Sequence, residues 1–249
     1  PTDWSHVGRW DLVKRRYESG AWLKGRIFPR RCDLSPDGRF LCYFAHKPSA
    51  TWELGEAYVA LSKLPWLTAL YAFSTCGTWT RGYHFTEDRD SGNLVDESLP
   101  IPCGLSSSPV VQFANERRRG WSETADSPQP VPGDTWDEHR NVRIQKRQPR
   151  GDRLLCVESL GRAGGEFGVD QAVDGLRVNY WLETDDNIQP LTDVQWADWD
   201  REGHLLVATR SGKLQIWNRD GDGSDPLFEE DLSLFKPNPG PAPAWAERW

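Results

Sequence analysis

Long apolar runs are missing from this sequence. No stretch approaches the roughly 18 consecutive apolar residues of a membrane-spanning helix, and no N-terminal run has the length of a signal peptide. A membrane partner is therefore not expected. Cysteine is also scarce. The five present, Cys32, Cys42, Cys76, Cys103 and Cys156, are odd in number, widely spaced and without a CxxC pair. That pattern fits neither a disulfide framework nor a zinc ribbon. Three of them lie in or beside apolar segments, where free cysteine is a small core residue, and a reduced, cytoplasmic protein is the expectation. Positive charge is in the minority, with 30 Lys and Arg against 37 Asp and Glu and a net charge of −7. This argues against a sequence-independent grip on nucleic acid, although basic clusters stand at Arg15-Arg16, Arg30-Arg31, Arg117 to Arg119 and Arg140 to Arg150.

Enzyme signatures are absent as well. The chain contains no GxSxG nucleophile elbow, no HExxH zinc pair and no GxxxxGK[ST] phosphate loop. The glycines of Gly161-Arg-Ala-Gly164-Gly165-Glu-Phe-Gly168 follow an apolar segment, but their spacing differs from GxGxxG and no βαβ unit surrounds them, so they read as a loop. The five histidines, His6, His46, His84, His139 and His204, are scattered. Helical periodicity is rare too: only WDLVKRRYES near the N-terminus and WELGEAYVALSKL at residues 52 to 64 are open to a helical reading. Eighteen prolines and 22 glycines interrupt the chain too often for a helical bundle. The expected class is all-β, and the expected activity is non-enzymatic.

What is present is a repeated β unit. Residues 193 to 219, DVQWADWDREGHLLVATRSGKLQIWNR, give three segments rich in apolar, β-branched and aromatic residues, joined by the Gly-containing turns REG and RSG. A three-stranded meander cannot bury its own faces, so copies of the unit are expected elsewhere. RCDLSPDGRFLCYFA at residues 31 to 45, followed by EAYVALSK, repeats the turn and two strands. PRGDRLLCVESL with LRVNYWLE is a third copy, and residues 67 to 85 are a candidate fourth.

The stretches SPDGRFLCY (35 to 43) and GHLLVATRSGKLQIWN (203 to 218) resemble blades of the β-propeller superfamily, in the loose sense of WD-repeat and TolB-like proteins. Trp217-Asn218 stands where a WD blade carries Trp-Asp. The resemblance implies a ring of about five or six small antiparallel blades over residues 1–235, with another multi-sheet antiparallel β fold as the alternative. Residues 122 to 135, SETADSPQPVPGDT, read as a long exposed loop.

Three further features carry chemistry. Asn218, Asp220, Asp222 and Glu229 match the EF-hand spacing of oxygen ligands in all but the first residue, which makes this run a candidate Ca2+ loop; a solvated turn between strands is the competing reading. Tryptophan is abundant, with 14 residues in 249. Trp10, Trp22, Trp79, Trp181, Trp196, Trp199 and Trp217 are expected to fill gaps between stacked sheets, or, in the sharper reading, to offer platforms for sugars beside carboxylates such as Asp198 and Asp200. The tail at 236–249, KPNPGPAPAWAERW, has alternate prolines that favour extended polyproline II, and ends in Trp245 and Trp249. Those two either fold back on the domain or insert into a partner's groove as aromatic anchors.

Two functions follow as expectations. The first is an interaction or scaffold module that binds a protein partner through propeller loops and the tail, with Trp245 and Trp249 as contacts. The alternative is a carbohydrate-binding or glycoside-active protein that uses Trp platforms and paired carboxylates.

Overall fold

The computed structural model describes residues 3–48, 54–75, 77–78, 82–86, 104–108, 111–127, 141–159, 177–185, 187–221 and 223–249. The chain is all-β, built from several antiparallel sheets. It divides into two compact units: residues 1–109 together with 236–249, and residues 110–235. Residues 236–249 are thus packed as part of the first unit. Among the described residues no helix is long and apolar enough to cross a membrane.

The first unit holds β1 (Trp4–Asp11), β2 (Arg16–Lys24), β3 (Arg26–Ile27), β4 (Asp33–Leu34), β5 (Phe40–His46), β6 (Ala57–Lys63), β7 (Tyr71–Ser74), β8 (Tyr83–Phe85) and β9 (Leu105–Ser107). Its central sheet runs β3-β5-β6-β7, with β4 also paired to β5. The sequences FLCYFAH and AYVALSK are almost uninterruptedly apolar, and both strands are buried along nearly their whole length. Such runs belong to strands covered on both faces. Phe40, Cys42, Phe44, Val59 and Leu61 pack on one side with Phe28, Phe85 and Leu105, and so meet the β8-β9 ribbon. Leu41, Tyr43, Ala45, Tyr58 and Ala60 pack on the other with Val7 and Leu23 of the β1-β2 ribbon.

Neither stretch open to a helical reading forms a helix among its described residues. WDLVKRRYES becomes the end of β1, a four-residue turn and the start of β2, with Trp10 paired to Tyr17 and Asp11 to Arg16, and residues 57–63 of the other form β6. The segment read as a fourth copy does not form one unit: β7 joins β6, whereas β8 pairs with β9 in a separate sheet. Within the turn Ser35-Pro36-Asp37-Gly38, Ser35 Oγ donates to Asp37 and accepts from Phe40 N, and Gly38 adopts φ +69°, a conformation that favours glycine.

The second unit contains a short helix α1 (Ala114–Arg118) and strands β10 (Ser122–Glu123), β11 (Arg143–Arg147), β12 (Leu154–Ser159), β13 (Val178–Thr184), β14 (Asn187–Leu191), β15 (Val194–Trp199), β16 (Leu205–Thr209), β17 (Lys213–Trp217) and β18 (Phe228–Asp231). They form two meander sheets in chain order, β10 to β14 and β15 to β18. The three strands expected from residues 193 to 219 are β15, β16 and β17. A fourth, β18, follows the acidic run and pairs with β17 from Ile216↔Phe228 to Lys213↔Asp231. Its sequence FEED carries no apolar alternation, so only the pairing with β17 defines it.

One core joins the two sheets. Ile144, Leu155, Val157, Tyr180 and Leu182 of the first pack with Ala197, Trp199, Leu205, Val207 and Trp217 of the second, and Trp121 closes the cluster. Trp199 and Trp217 therefore fill the gap between sheets as expected, whereas Trp79 lies outside the described residues. Polar clamps hold the sheets in place. Lys146 Nζ donates to Asp198 Oδ1 at 2.7 Å, and Trp199 Nε1 donates to Lys146 O at 3.1 Å. Buried Gln148 donates from Nε2 to Gly203 O and Arg219 O, at 2.8 and 2.9 Å. Gly203 has φ +87°, and a Cβ there would lie 2.5 Å from Pro149 O, so the REG turn needs its glycine both for conformation and for close approach.

Burial pushes the Asp198 carboxyl above the usual carboxylate range, partly offset by the Lys146 ammonium. A pair desolvated to this degree adds little net stability, but either partner alone is costly. Asp198→Ala is expected to lower stability by about 3 kcal/mol by stranding the ammonium, whereas Lys146→Met with Asp198→Leu should stay within about 1 kcal/mol of the parent. Urea denaturation midpoints of the three proteins check this; equal losses in the single and double variants would contradict it.

Candidate functional site

The tail is docked on the first unit. Extended, exposed residues 236–241 lead into a single 3-10 turn, Ala244–Glu247, in which Ala246 N donates to Pro243 O at 2.8 Å. Ala246 is fully buried. Lys63 Nζ donates to Trp245 O at 3.1 Å, and the Trp249 ring lies 6.0 Å from that of Phe40, tilted by 35°. Phe40 and Lys63 are cross-strand partners on β5 and β6, so both anchors lie at one end of the central sheet. Although the backbone between them is held, the two indoles are 50% and 51% exposed. Of the two sequence expectations the tail shows the fold-back, with both tryptophans still half exposed.

Charged groups border the tail. Arg39 sits over the Phe40 ring at 5.7 Å and is ion-paired with Asp37 at 2.6 Å, and Glu247 and Arg248, both exposed, stand between the two tryptophans in sequence. Exposed aromatics bordered by charged side chains have the composition of an interface centre with a polar rim.

The acidic run is arranged differently. Asn218 Oδ1 accepts from Arg219 N, and Gly221 N donates to Asn218 O at 3.0 Å, which closes a tight turn after β17. Asp220 is exposed, and Asp222 lies outside the described residues. Glu229 sits on β18 with both carboxylate oxygens engaged by β17: Oε1 accepts from Lys213 Nζ at 2.7 Å and Oε2 from Gln215 Nε2 at 2.6 Å. Those two donors hold the Glu229 carboxyl below its ordinary range. Among the described residues no group of three or more His, Cys, Asp or Glu side chains gathers as a metal cluster would require.

The carboxylates named beside tryptophans are occupied too. Asp198 holds Lys146. Asp200 accepts from Glu202 N, His204 N and the His204 ring, the last at 2.8 Å, and so shapes the turn before β16. On the outer side of the β10 to β14 sheet, Trp181 Nε1 donates to Glu183 at 3.4 Å, and the Arg143 guanidinium stacks on the indole at 5.5 Å. Arg143 also pairs with Asp126 and with Glu158. Cys156, beside Glu183, is buried, and desolvation pushes its thiol up to about 12, so it is inert at neutral pH.

The described histidines do not converge. His6 stacks on Trp22, with centroids 4.3 Å apart, His84 reaches Ser108, and His204 belongs to its turn; His139 is outside the described residues. Sequence reasoning missed the Asp200–His204 and Lys146–Asp198 pairs. The first had a readable signal, an Asp three residues before the turn glycine, where Asx turns form. The second had none, since its partners are 52 residues apart.

No protein-family model matches the sequence, and no curated protein matches it. Among solved structures, hydrazine synthase from Kuenenia stuttgartiensis is similar over 85% of this chain and 70% of that chain, at 12% identity and a TM-score of 0.31. That likeness is too loose to carry an argument about fold or activity.

Because Lys213 and Gln215 already satisfy Glu229, calcium has to displace both to use it. Thermal unfolding curves recorded in calcium and in chelator are expected to superimpose. A higher Tm in calcium that Glu229→Gln abolishes would instead establish the loop as a cation site.

Proposed function

We propose that this chain is a non-enzymatic interaction module that holds a protein partner against the Trp245 and Trp249 surface. The single observation that carries this reading is that Trp245 and Trp249 are each half exposed on a tail held by the Lys63 bond to Trp245 O, the Phe40–Trp249 ring contact and the buried Ala246. Tryptophan at an ordered position presents large contact area with little conformational entropy left to lose, which is the property of a binding hot spot. The engagement of Asp198 and Asp200 in clamps and turns supports this reading over a sugar site built on those carboxylates.

The same proposal covers the architecture. The chain-order meanders β10 to β14 and β15 to β18 are what propeller blades would give, and a propeller-like body is the form we propose for the scaffold. Among the described residues, the buried cysteines Cys42 and Cys156 form no disulfide, which supports a reducing, cytoplasmic setting.

A photo-crosslinking residue at Glu247, between the two indoles, tests the surface in the intact chain inside its own cells. A discrete partner is expected to crosslink, and Trp245→Ala with Trp249→Ala should weaken its binding by about 2 kcal/mol or more, roughly thirtyfold in Kd. The Tm should remain near that of the parent in Trp245→Ala, and should fall by about 2–4 °C where Trp249→Ala removes the Phe40 contact. An unchanged Kd, or a glycan array response that needs neither indole, would overturn the proposal.

A further inference from the structure

The tip of the β1-β2 ribbon has no role in the fold or in the surface described above. Residues 12–15 connect the strands, and Asp11 fixes the turn by accepting from Lys14 N through Oδ1 at 2.9 Å. Arg15 completes the turn at φ +48°. The base of the ribbon is tied down: Val7 and Leu23 lie against the core, and Ala21 N donates to Pro65 O at 3.0 Å. The tip is bare. Val13 is 94% exposed and Leu12 36%, followed directly by the exposed cations Lys14, Arg15 and Arg16. Arg9, farther back, is ion-paired with Glu18, whereas among the described residues Arg15 and Arg16 form no ion pair.

A turn that holds Val13 almost wholly in water beside the partly exposed Leu12 leaves apolar area that gains free energy when a surface covers it. The arrangement of the neighbouring groups indicates which. Three consecutive cations stand out from a chain of net charge −7, so the tip presents positive charge to an approaching surface and the remainder of the molecule is repelled by an anionic one. Behind the tip, Trp10 and Tyr17 are cross-strand partners and half-buried. They lie three and four residues from Val13, on the order of 10 Å along the ribbon, which matches the depth at which amphipathic aromatics settle at a bilayer interface.

We propose that this hairpin docks on an anionic lipid surface, with Val13 and Leu12 entering the interface and Lys14, Arg15 and Arg16 on the headgroup phosphates. A peripheral contact of this kind requires no spanning helix. Nucleic acid accounts for the cations but leaves Val13 facing phosphates, and the aromatic rings that could stack on bases sit behind the apex and not on it. The inference is independent of the Trp245 and Trp249 surface.

Flotation of the full chain with vesicles tests it. Vesicles of phosphatidylcholine and phosphatidylserine in equal parts are expected to carry the protein upward at low salt, and vesicles of phosphatidylcholine alone are not. Val13→Asp should abolish flotation. Arg15→Gln and Arg16→Gln should each weaken partitioning about fivefold, and added salt should weaken it further. All three positions are exposed, so the variants should keep the parent Tm. Failure of the parent to float with anionic vesicles overturns the proposal. So does full flotation of Val13→Asp, which would reduce the contact to charge adsorption. Retention on duplex DNA that depends on Arg15 and Arg16 but not on Val13, without flotation, would reassign the tip to nucleic acid.

Discussion

Strands β5 and β6 bury both faces, and most of the first unit can be understood as a response to that requirement. A sheet that is apolar on two sides cannot stand at a surface, so it needs a cover on each. The β8-β9 ribbon supplies Phe85 and Leu105 to one side, and the β1-β2 ribbon supplies Val7 and Leu23 to the other. The tail docks at one end of these two strands, over Phe40 and Lys63. An aromatic pair such as Phe40 and Trp249 contributes about 1 kcal/mol beyond the area it covers. That is enough to bias a short proline-rich segment, whose unfolded state is already restricted, toward a held conformation.

The second unit solves the burial problem with two sheets face to face, and uses polar groups to set their relation. Apolar contact alone is indifferent to small sliding movements, because its energy follows area and not direction. Gln148 is directional: its amide reaches two carbonyls from different turns of the other sheet. Lys146 and Asp198 act in the same sense, with the Trp199 indole bonded to the same lysine's carbonyl. Since burial raises the Asp198 carboxyl even beside an ammonium, the value of the pair lies in specifying one arrangement of the sheets rather than in net stability.

Much of this was legible in the sequence, but unevenly. Residues 193 to 219 show their strands because apolar segments and glycine turns alternate at short range, and β15 to β17 form where that pattern puts them. β18 was invisible because FEED has no apolar period and is a strand only by virtue of Lys213, Gln215 and Leu214 opposite it. WDLVKRRYES could be read as a helix because no Gly, Pro or Asn marks its turn, which Arg15 closes at φ +48°. The site followed the same division. That Trp245 and Trp249 needed explaining was clear from composition, whereas the anchor at Lys63, 182 residues away, belongs to tertiary structure alone.

The two outward features of the first unit share a design. In each, a held backbone leaves apolar side chains in water: Val13 on the turn that Asp11 closes, and Trp245 and Trp249 on the tail that Lys63 and the buried Ala246 hold. Exposure of that kind arises easily in a loose segment, where the chain can collapse on itself at no cost. In an ordered segment it persists because the held backbone denies the side chain a place in the core. The free energy of covering that surface then remains available to whatever meets it, and little of it is spent on ordering. Charged groups border both places, Arg39 with Asp37, Lys63, Glu247 and Arg248 at one and Asp11 with Lys14, Arg15 and Arg16 at the other. Only at the hairpin do the cations clearly outnumber the acids, so long-range attraction favours an anionic surface there, and the apolar contact decides whether it is kept.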